Sequence, residues 1–171
     1  PAAWVIKRLP NLNLKETMIY GTAGLTALLS VAALVDAGVK ARDGEVLVTG
    51  TTGGVGSFAA RTLVKLGYEV VGVQRRPEEE PFLNSLGLKR IVPVEEIDDQ
   101  SGRPLGKAVW AGVIDTVGGN ILYTAIKTTR YGGSVTCCGN AASNSLPATV
   151  LPFILRGVTL YGIDSVECPM D

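Results

Sequence analysis

The sequence predicts an α/β fold, a doubly wound domain built around a parallel sheet of six strands. Short apolar runs alternate with helical patterns, and glycines stand at the joins between them. Strands separated by helices require parallel crossovers, which cover both faces of a sheet. With 46% hydrophobic residues, 171 positions are enough to bury one substantial core.

The elements of the first half follow from apolar runs and their end signals. Gly38 and Gly67 each end a helical pattern, as glycine commonly does. Pro77 stands at a favoured first helical position, with a run of glutamates in the first turn. We therefore expect helices over 22–37, about 54–66 and from Pro77 to about Gly87, and strands over 45–49, 69–73 and 90–92.

The second half repeats the alternation after a polar stretch. Residues 95–106 are polar and include Pro104, which indicates a surface excursion. Beyond it we expect strands over 111–115, 133–138 and 158–162 and helices over 120–129 and about 148–156.

The charge balance argues against two classes of function. Sixteen basic and sixteen acidic residues give a formal net charge of zero. Binding to nucleic acid or to an anionic membrane surface relies on a positive excess, so neither partner is expected. The longest apolar stretch, 24–35, is shorter than the roughly 20 residues of a membrane span.

Histidine is absent, which excludes serine–histidine triads and nearly every ordinary zinc site in this chain. The three cysteines lack metal-ligand spacing, and Cys137 and Cys138 would point to opposite faces of a strand. We therefore expect no metal site, reduced thiols and a cytoplasmic location.

A glycine cluster lies between the first strand and the next helix. Gly50, Gly53 and Gly56 form G-x-x-G-x-x-G, a relative of the dinucleotide fingerprint. A turn without side chains lets backbone N–H groups approach a pyrophosphate at a helix N-terminus, and Gly56 permits close helix–strand packing. This context predicts a dinucleotide site rather than a merely tight turn.

The end of the second strand favours NADPH over NADH. An NAD site usually carries an acidic residue here, whereas this chain has Gln74, Arg75 and Arg76. Guanidinium groups can bind the 2′-phosphate that a carboxylate would repel. The alternative is a pair of solvated arginines that offset the following glutamates.

A short-chain dehydrogenase is a less favoured alternative. Gly50, Gly54 and Gly56 also fit the glycine pattern of that family, and Tyr123 and Lys127 imitate its Tyr-x-x-x-Lys pair. The pair follows the fourth strand almost at once, however, and no serine lies between Ser101 and Ser134. We interpret Tyr123 and Lys127 as ordinary helix residues.

Five longer segments carry a resemblance that extends over nearly the whole chain, namely residues 18–27, 48–57, 65–71, 109–118 and 151–166. They resemble the medium-chain dehydrogenase/reductase superfamily, and within it the zinc-independent quinone oxidoreductases related to acryloyl-CoA reductase. The resemblance implies a Rossmann cofactor domain and hydride transfer from NADPH to an α,β-unsaturated carbonyl compound, such as an enoyl-CoA, or to a quinone.

The resemblance also implies cofactor-binding positions, residue by residue. The pyrophosphate loop corresponds to Thr52, Gly53, Gly54 and Val55. From the glycine motif itself we also expect Gly50, Thr51 and Gly56 at the cofactor site. The 2′-phosphate segment corresponds to Gln74, Arg75 and Arg76, and the nicotinamide side to Thr22, Cys138, Gly139, Asn140, Ile163, Asp164 and Ser165. For Cys138 and Asp164, a packing residue and a turn cap remain equal alternatives. No catalytic residue is assigned.

The superfamily further implies a second domain. Its members are about twice this length and begin with a GroES-like catalytic domain. Residues 1–17 then represent a residual connection, with 4–10 as the approach from that domain, and 18–171 an isolated cofactor domain that reaches its small-molecule substrate through the missing part. The resemblance implies a homodimer through strand 158–162. A non-catalytic dinucleotide-binding or sensor module is the alternative function.

Overall fold

The computed structural model describes residue 5 and residues 7–168, and its centre is a single parallel sheet of six strands. The spatial order is β3-β2-β1-β4-β5-β6, which confirms the predicted fold class. The strands are β1 (Val46–Val48), β2 (Val70–Gln74), β3 (Arg90–Pro93), β4 (Trp110–Asp115), β5 (Thr129–Cys137) and β6 (Thr159–Gly162).

The strand order reverses direction at β1, which pairs with β2 on one side and β4 on the other. Crossovers leave this point toward opposite edges of the sheet, so their loops diverge at the carboxyl ends of β1 and β4. Ligands of open α/β sheets bind in the crevice that such a divergence creates. The topology therefore places a crevice directly behind the glycine cluster.

Five α-helices accompany the sheet: α1 (Leu14–Asp36), α2 (Gly54–Lys65), α3 (Glu80–Ser85), α4 (Gly119–Thr128) and α5 (Leu151–Arg156). Alternate strand residues point to opposite faces, so two separate cores form. Helices α1, α2 and α3 pack on one face around Val46, Val48 and Ile114. Helix α4 packs on the other, around Leu47, Val113 and Val135.

Helix α1 begins earlier than the sequence pattern predicts. Asn13 caps it by accepting a hydrogen bond from the Glu16 N–H (2.9 Å), while the Glu16 carboxylate accepts one from the Asn13 N–H (2.7 Å). Gly21 interrupts the helical backbone with φ 40° and ψ −153°. The expected helix from residue 22 is thus the portion beyond this kink.

By length and composition α1 is the one helix among the described residues apolar enough to cross a membrane. About a third of its apolar window is buried in the domain. Ala27 and Leu34 are fully buried and Val31 nearly so, against the sheet and α2. The kink at Gly21 also divides the helix, so that the regular part covers less than a bilayer span.

Three other predicted bounds were wrong. The last helix starts at Leu151 instead of about 148, because Pro152 suits a first turn, where no intrahelical N–H donor is needed. The helix expected from Pro77 is a 3₁₀ turn, Pro77–Glu79, followed by the short α3. Strand β5 begins at Thr129 rather than 133, since its ladder with β4 continues past an irregularity near Trp110.

The predicted surface excursion after β3 is tied to the fold. It opens with a 3₁₀ turn, Val94–Ile97, in which Ile97 is buried against the second core. Farther along, the buried Lys127 ammonium of α4 lies 2.7 Å from the Asp99 carboxylate and also donates to the Arg103 carbonyl. The excursion is therefore held against α4 by a charged anchor.

We predict that this anchor makes stability depend on pH in the acid range. The Lys127 hydrogen bond, with the Ser101 hydroxyl and N–H, lowers the pKa of Asp99 from its usual 3.8 to about 2. A depressed folded-state pKa adds stability above the ordinary pKa, and this stability is lost as pH falls through the folded value. The unfolding free energy, measured with urea, should fall between pH 4 and 2.

Asp99→Asn should flatten this pH dependence and lower stability at pH 7, because it leaves the buried Lys127 ammonium without its counter-charge. Asp36→Asn, which neutralises an exposed carboxylate at the end of α1, is the matched control. An unchanged slope in Asp99→Asn would contradict the role of the pair.

Candidate functional site

The glycine cluster forms a tight turn from β1 into α2. Gly50 has φ 58°, a left-handed conformation that favours glycine, and its carbonyl accepts from the Gly53 N–H at 2.9 Å. A Cβ atom at Gly56 would lie 2.3 Å from the Gly50 carbonyl oxygen. The turn and the first helical turn are therefore in contact through backbone alone, as the sequence motif predicts.

The N-terminus of α2 is open toward the crevice. Gly53 is its N-cap and, among the described residues, no side chain hydrogen-bonds to the cap position. The first N–H groups of a helix lack intrahelical partners and carry partial positive charge. Gly54 and Val55 lie in this first turn, so the structure offers an anion such as a phosphate several unpaired backbone donors.

A buried hydrogen-bond network joins β1 to β4 directly below this turn. The Thr49 hydroxyl donates to Asp115 Oδ1 at 2.6 Å and accepts from the Thr116 N–H at 3.0 Å. Asp115 Oδ2 accepts from the N–H groups of Val117 (3.2 Å) and Gly118 (2.8 Å). Burial raises the pKa of Asp115, although these donors act in the opposite direction.

Thr51 has a structural contact instead of facing the crevice. Its hydroxyl donates to the Val48 carbonyl at 2.6 Å and accepts from the Val73 N–H at 2.9 Å. The side chain is fully buried. Thr51 thereby joins the ends of β1 and β2, so that any contact with a ligand would have to come from its backbone.

A cavity of about 500 Å³ opens beside the turn. Four of the predicted residues line it, namely Gly50, Thr52, Gly53 and Arg75. Other lining residues were not predicted: Val94, Ile97 and Asp98 follow β3, and Val117 and Ile121 follow β4. The apolar spacing of Val92, Val94 and Ile97 was the sequence signal for a packed segment there.

The two predicted phosphate arginines differ in their position relative to this cavity. Arg75 lines it, whereas Arg76 is largely exposed, with its Nε atom 3.4 Å from Glu79 Oε1. Glu79 Oε2 also accepts from the Arg75 N–H at 2.9 Å, and this bond is the main reason that the Glu79 pKa is lowered. Gln74 donates its amide to the Arg76 carbonyl at 3.0 Å.

A second cavity, of about 680 Å³, adjoins the carboxyl ends of β5 and β6. It is lined in part by the predicted nicotinamide-side residues Cys138, Gly139, Asn140, Ile163 and Asp164. A Cβ atom at Gly139 would lie 2.2 Å from the Thr116 carbonyl oxygen, so this position needs glycine.

Cys138 and Asp164 form hydrogen bonds with the protein backbone. The Cys138 thiol donates to the Asp115 carbonyl at 3.3 Å, and burial raises the thiol pKa. Asp164 Oδ1 accepts from the Val166 N–H at 2.8 Å, which is the geometry of a turn cap. These contacts are the ones expected if Cys138 is a packing residue and Asp164 a turn cap.

Thr22 lies in α1, and Ser165 contacts the same helix through Thr26. The Thr26 hydroxyl lies 2.8 Å from the Thr22 carbonyl and 2.7 Å from the Ser165 hydroxyl. The segment after β6 is thus connected to the helix that carries Thr22. Thr22 and Ser165 lie on the α1 side, and neither lines the cavity beside β5 and β6.

The described residues do not fit a zinc ion. They contain no group of three or more cysteine, aspartate, glutamate or histidine side chains able to hold a metal, and the whole chain lacks histidine.

Tyr123 and Lys127, the pair that imitates a short-chain dehydrogenase, lie in the core of the domain. Their side chains are buried, and Lys127 pairs with Asp99.

Comparison with known proteins identifies relatives over nearly all of the chain. Residues 54–170 match the family described as zinc-binding dehydrogenase. The acrylyl-CoA reductase AcuI of Ruegeria pomeroyi is 48% identical over 168 residues, which cover 98% of this chain and 51% of that protein.

Two solved structures share the fold closely. E. coli YhdH with bound NADPH is 50% identical, with a TM-score of 0.93 over 98% of this chain and 51% of that one. Bacillus subtilis YhfP with NAD bound is 47% identical, with a TM-score of 0.94 over 100% and 52%. The chain thus spans about half the length of these relatives.

We predict that Gly56→Ala destabilises the protein. The added methyl group would collide with the Gly50 carbonyl and force the turn and α2 apart, at a cost of about 1–3 kcal/mol. Urea unfolding measures this change. Gly162→Ala is the matched control, because no atom lies within 4 Å of its added Cβ, and it should stay within about 0.5 kcal/mol of the parent. Equal stability of the two variants would contradict the close packing.

Proposed function

Because the chain belongs to the zinc-binding dehydrogenase family, within the medium-chain dehydrogenase/reductase superfamily, we propose that it is the NADPH-binding part of a reductase. The observation that carries the proposal is the open N-terminus of α2 at a glycine turn, beside a cavity with an arginine at its mouth. This arrangement suits a pyrophosphate followed by a phosphorylated ribose. Family membership favours this function over the short-chain dehydrogenase and over a sensor module.

The adenosine half of the cofactor would occupy the 500 Å³ cavity. Backbone donors of the turn and of α2 would bind the pyrophosphate, and the end of β2 would hold the ribose. The nicotinamide half would extend across the network of Thr49 and Asp115 toward Thr22, Cys138 and Ser165. The proposal thus assigns the two halves of one ligand to the two sides of the switch point.

Arg75 and Arg76 support a preference for NADPH. The relatives differ, since YhdH was solved with NADPH and YhfP with NAD. In this chain Arg75 lines the cavity, and the largely exposed Arg76 guanidinium lies 3.4 Å from Glu79 and 3.9 Å from Glu78. Ion pairs of an exposed arginine contribute little stability, so exchanging them for a phosphate costs little. Glu79 accepts the backbone N–H of Arg75 and holds the segment in place.

We predict that replacing both Arg75 and Arg76 by alanine weakens NADPH binding by about 10- to 100-fold, since two charge-assisted bonds to the 2′-phosphate are lost. NADH, which lacks this phosphate, should bind with nearly unchanged affinity. Calorimetric titration of the 171-residue chain with each nucleotide makes the comparison. Arg42→Ala is the control, because Arg42 precedes β1 at the opposite end of the sheet. Equal losses for NADPH and NADH would contradict the phosphate assignment.

The parent enzyme would reduce an α,β-unsaturated carbonyl compound, an enoyl-CoA such as acryloyl-CoA, or a quinone. NADPH supplies the hydride when bound. The residues of this chain position the cofactor, and we assign none of them as the proton donor to the α-carbon. The described residues form no group that could hold a metal, so the proposal assigns no metal ligand to this chain.

We predict that the 171-residue chain alone turns over neither acryloyl-CoA nor a quinone, because the remaining half of the relatives' length would supply the substrate pocket. The longer protein encoded by the same gene should oxidise NADPH when acryloyl-CoA or a quinone is added, as followed at 340 nm. Turnover by the 171-residue chain would contradict the proposal that the substrate pocket lies in the other half of the enzyme. An inactive longer protein would contradict the proposed substrate class.

The proposed domain division places 1–17 as a connection from a GroES-like domain and 18–171 as the cofactor domain. Its boundary falls inside α1, which starts at Leu14, four residues before the matching segment begins. Residues 1–4 and 6 of the proposed connection and residues 169–171 of the proposed cofactor domain lie outside the described residues.

The proposed homodimer would form through β6, which is the edge strand of the sheet beside β5. An open edge invites pairing with a second strand. A monomer at high concentration in light scattering would contradict the proposed homodimer.

A cytoplasmic location is also proposed, consistent with the free thiols of Cys137 and Cys138.

A further inference from the structure

The excursion after β3 carries one carboxylate, Asp98, into the wall of the 500 Å³ cavity. We propose that Asp98 accepts a hydrogen bond from the exocyclic amino group of the cofactor's adenine and makes this site selective for 6-aminopurines. The inference rests on the proposed dinucleotide function and deepens it.

The lining of the cavity includes apolar side chains of the kind that contact a planar base. Val94 and Ile97 form one wall, and Val117 and Ile121 form part of the others. With the pyrophosphate at the glycine turn and the ribose at the end of β2, the base is directed between these apolar walls. Apolar lining with few polar groups is typical of a site that fixes the orientation of a flat ligand.

Asp98 has one oxygen committed to the protein and one available. Oδ1 accepts from the Asn120 amide at 2.6 Å and from the Gln100 amide at 2.9 Å. Asn120 also donates to the Asp99 carbonyl at 3.1 Å, which fixes its amide on α4. Oδ2 accepts no hydrogen bond from the described residues, so one acceptor of an oriented carboxylate is available to a ligand.

The backbone around Asp98 is anchored on both sides. Ile97 is buried in the second core, and the Asp99 N–H donates to the Thr124 hydroxyl at 3.1 Å. The Asp99 carboxylate pairs with the buried Lys127 at 2.7 Å. The conformational entropy of this segment is therefore lost when the protein folds and not when a ligand binds. The Asp98 backbone is thus positioned before any ligand arrives.

An ionised carboxylate has no proton to donate, so it can distinguish purines that carry a hydrogen-bond donor at C6 from purines that carry an acceptor there. When ionised it only accepts hydrogen bonds, and the 6-amino group of adenine donates them. Hypoxanthine presents an oxo oxygen at the same place, which would face the carboxylate oxygen with like partial charge. Nicotinamide hypoxanthine dinucleotide phosphate in its reduced form is therefore a probe that differs from NADPH at this contact.

The first test compares the two nucleotides on the 171-residue parent chain by calorimetry. NADPH should bind about tenfold more tightly than the hypoxanthine analogue, as expected for a hydrogen bond to a charged group. Equal affinities would overturn the inference while leaving the proposed function intact. Failure to bind either nucleotide would instead overturn the proposed function itself.

The second test assigns the selectivity to Asp98. An amide can donate to the oxo oxygen, so Asp98→Asn should abolish or reverse the preference, reducing the ratio of affinities to about one or below. Glu95→Gln is the matched control, because it removes one negative charge from an exposed position of the same turn. It should leave the ratio unchanged.

Asp98→Ser provides an independent variant if Asp98→Asn does not fold. A hydroxyl can either donate or accept, so the ratio should again approach one. A preference for NADPH that persists at about tenfold in a folded variant at position 98 would show that another group reads the base, and the inference would be wrong. The same change in Glu95→Gln would show a general charge effect, with the same consequence.

Discussion

The crevice depends on one buried contact, the hydrogen bond between the Thr49 hydroxyl and the Asp115 carboxylate. It joins the carboxyl ends of the two central strands at the point where the chain diverges to either side. The other oxygen of Asp115 binds the N–H groups of Val117 and Gly118, which shapes the loop into α4. Both walls of the proposed binding crevice are therefore positioned by a single buried side chain. Its desolvation, which raises the Asp115 pKa, is offset by these donors.

Close backbone packing completes this edge of the sheet. Gly56 packs against Gly50, and Gly139 against Thr116, at distances that exclude a Cβ atom. The start of α2 thus packs closely against the glycine turn, and the segment after β5 packs closely against the segment after β4. The consequence is a surface on which backbone N–H groups, rather than side chains, face an anion.

Polar and charged contacts of α4 hold the cavity wall that follows β3. Lys127 is fully buried and binds Asp99, while Asn120, in the first turn of the helix, binds Asp98. A residue pair that imitates short-chain dehydrogenases in sequence therefore has an architectural use here: Lys127 anchors the excursion and Tyr123 packs beside it. The same residue types serve different purposes because the fold places them away from the turn.

The sequence by itself determined the strand count, the parallel α/β class, the glycine turn and the arginines after β2. These features are local: periodicity and glycine position depend on neighbours within a few residues. It located α1 and α5 imperfectly because the capping box at Asn13 and the proline at 152 act through backbone geometry at single positions. Tertiary structure alone decided that Thr51 faces the strands, that residues 94–98 form a cavity wall, and that Asp98 accepts a hydrogen bond from Asn120. Those outcomes depend on partners 20 or more residues away, such as Val73, Asn120 and Lys127, and the polarity of a segment does not encode which distant side chains it will meet.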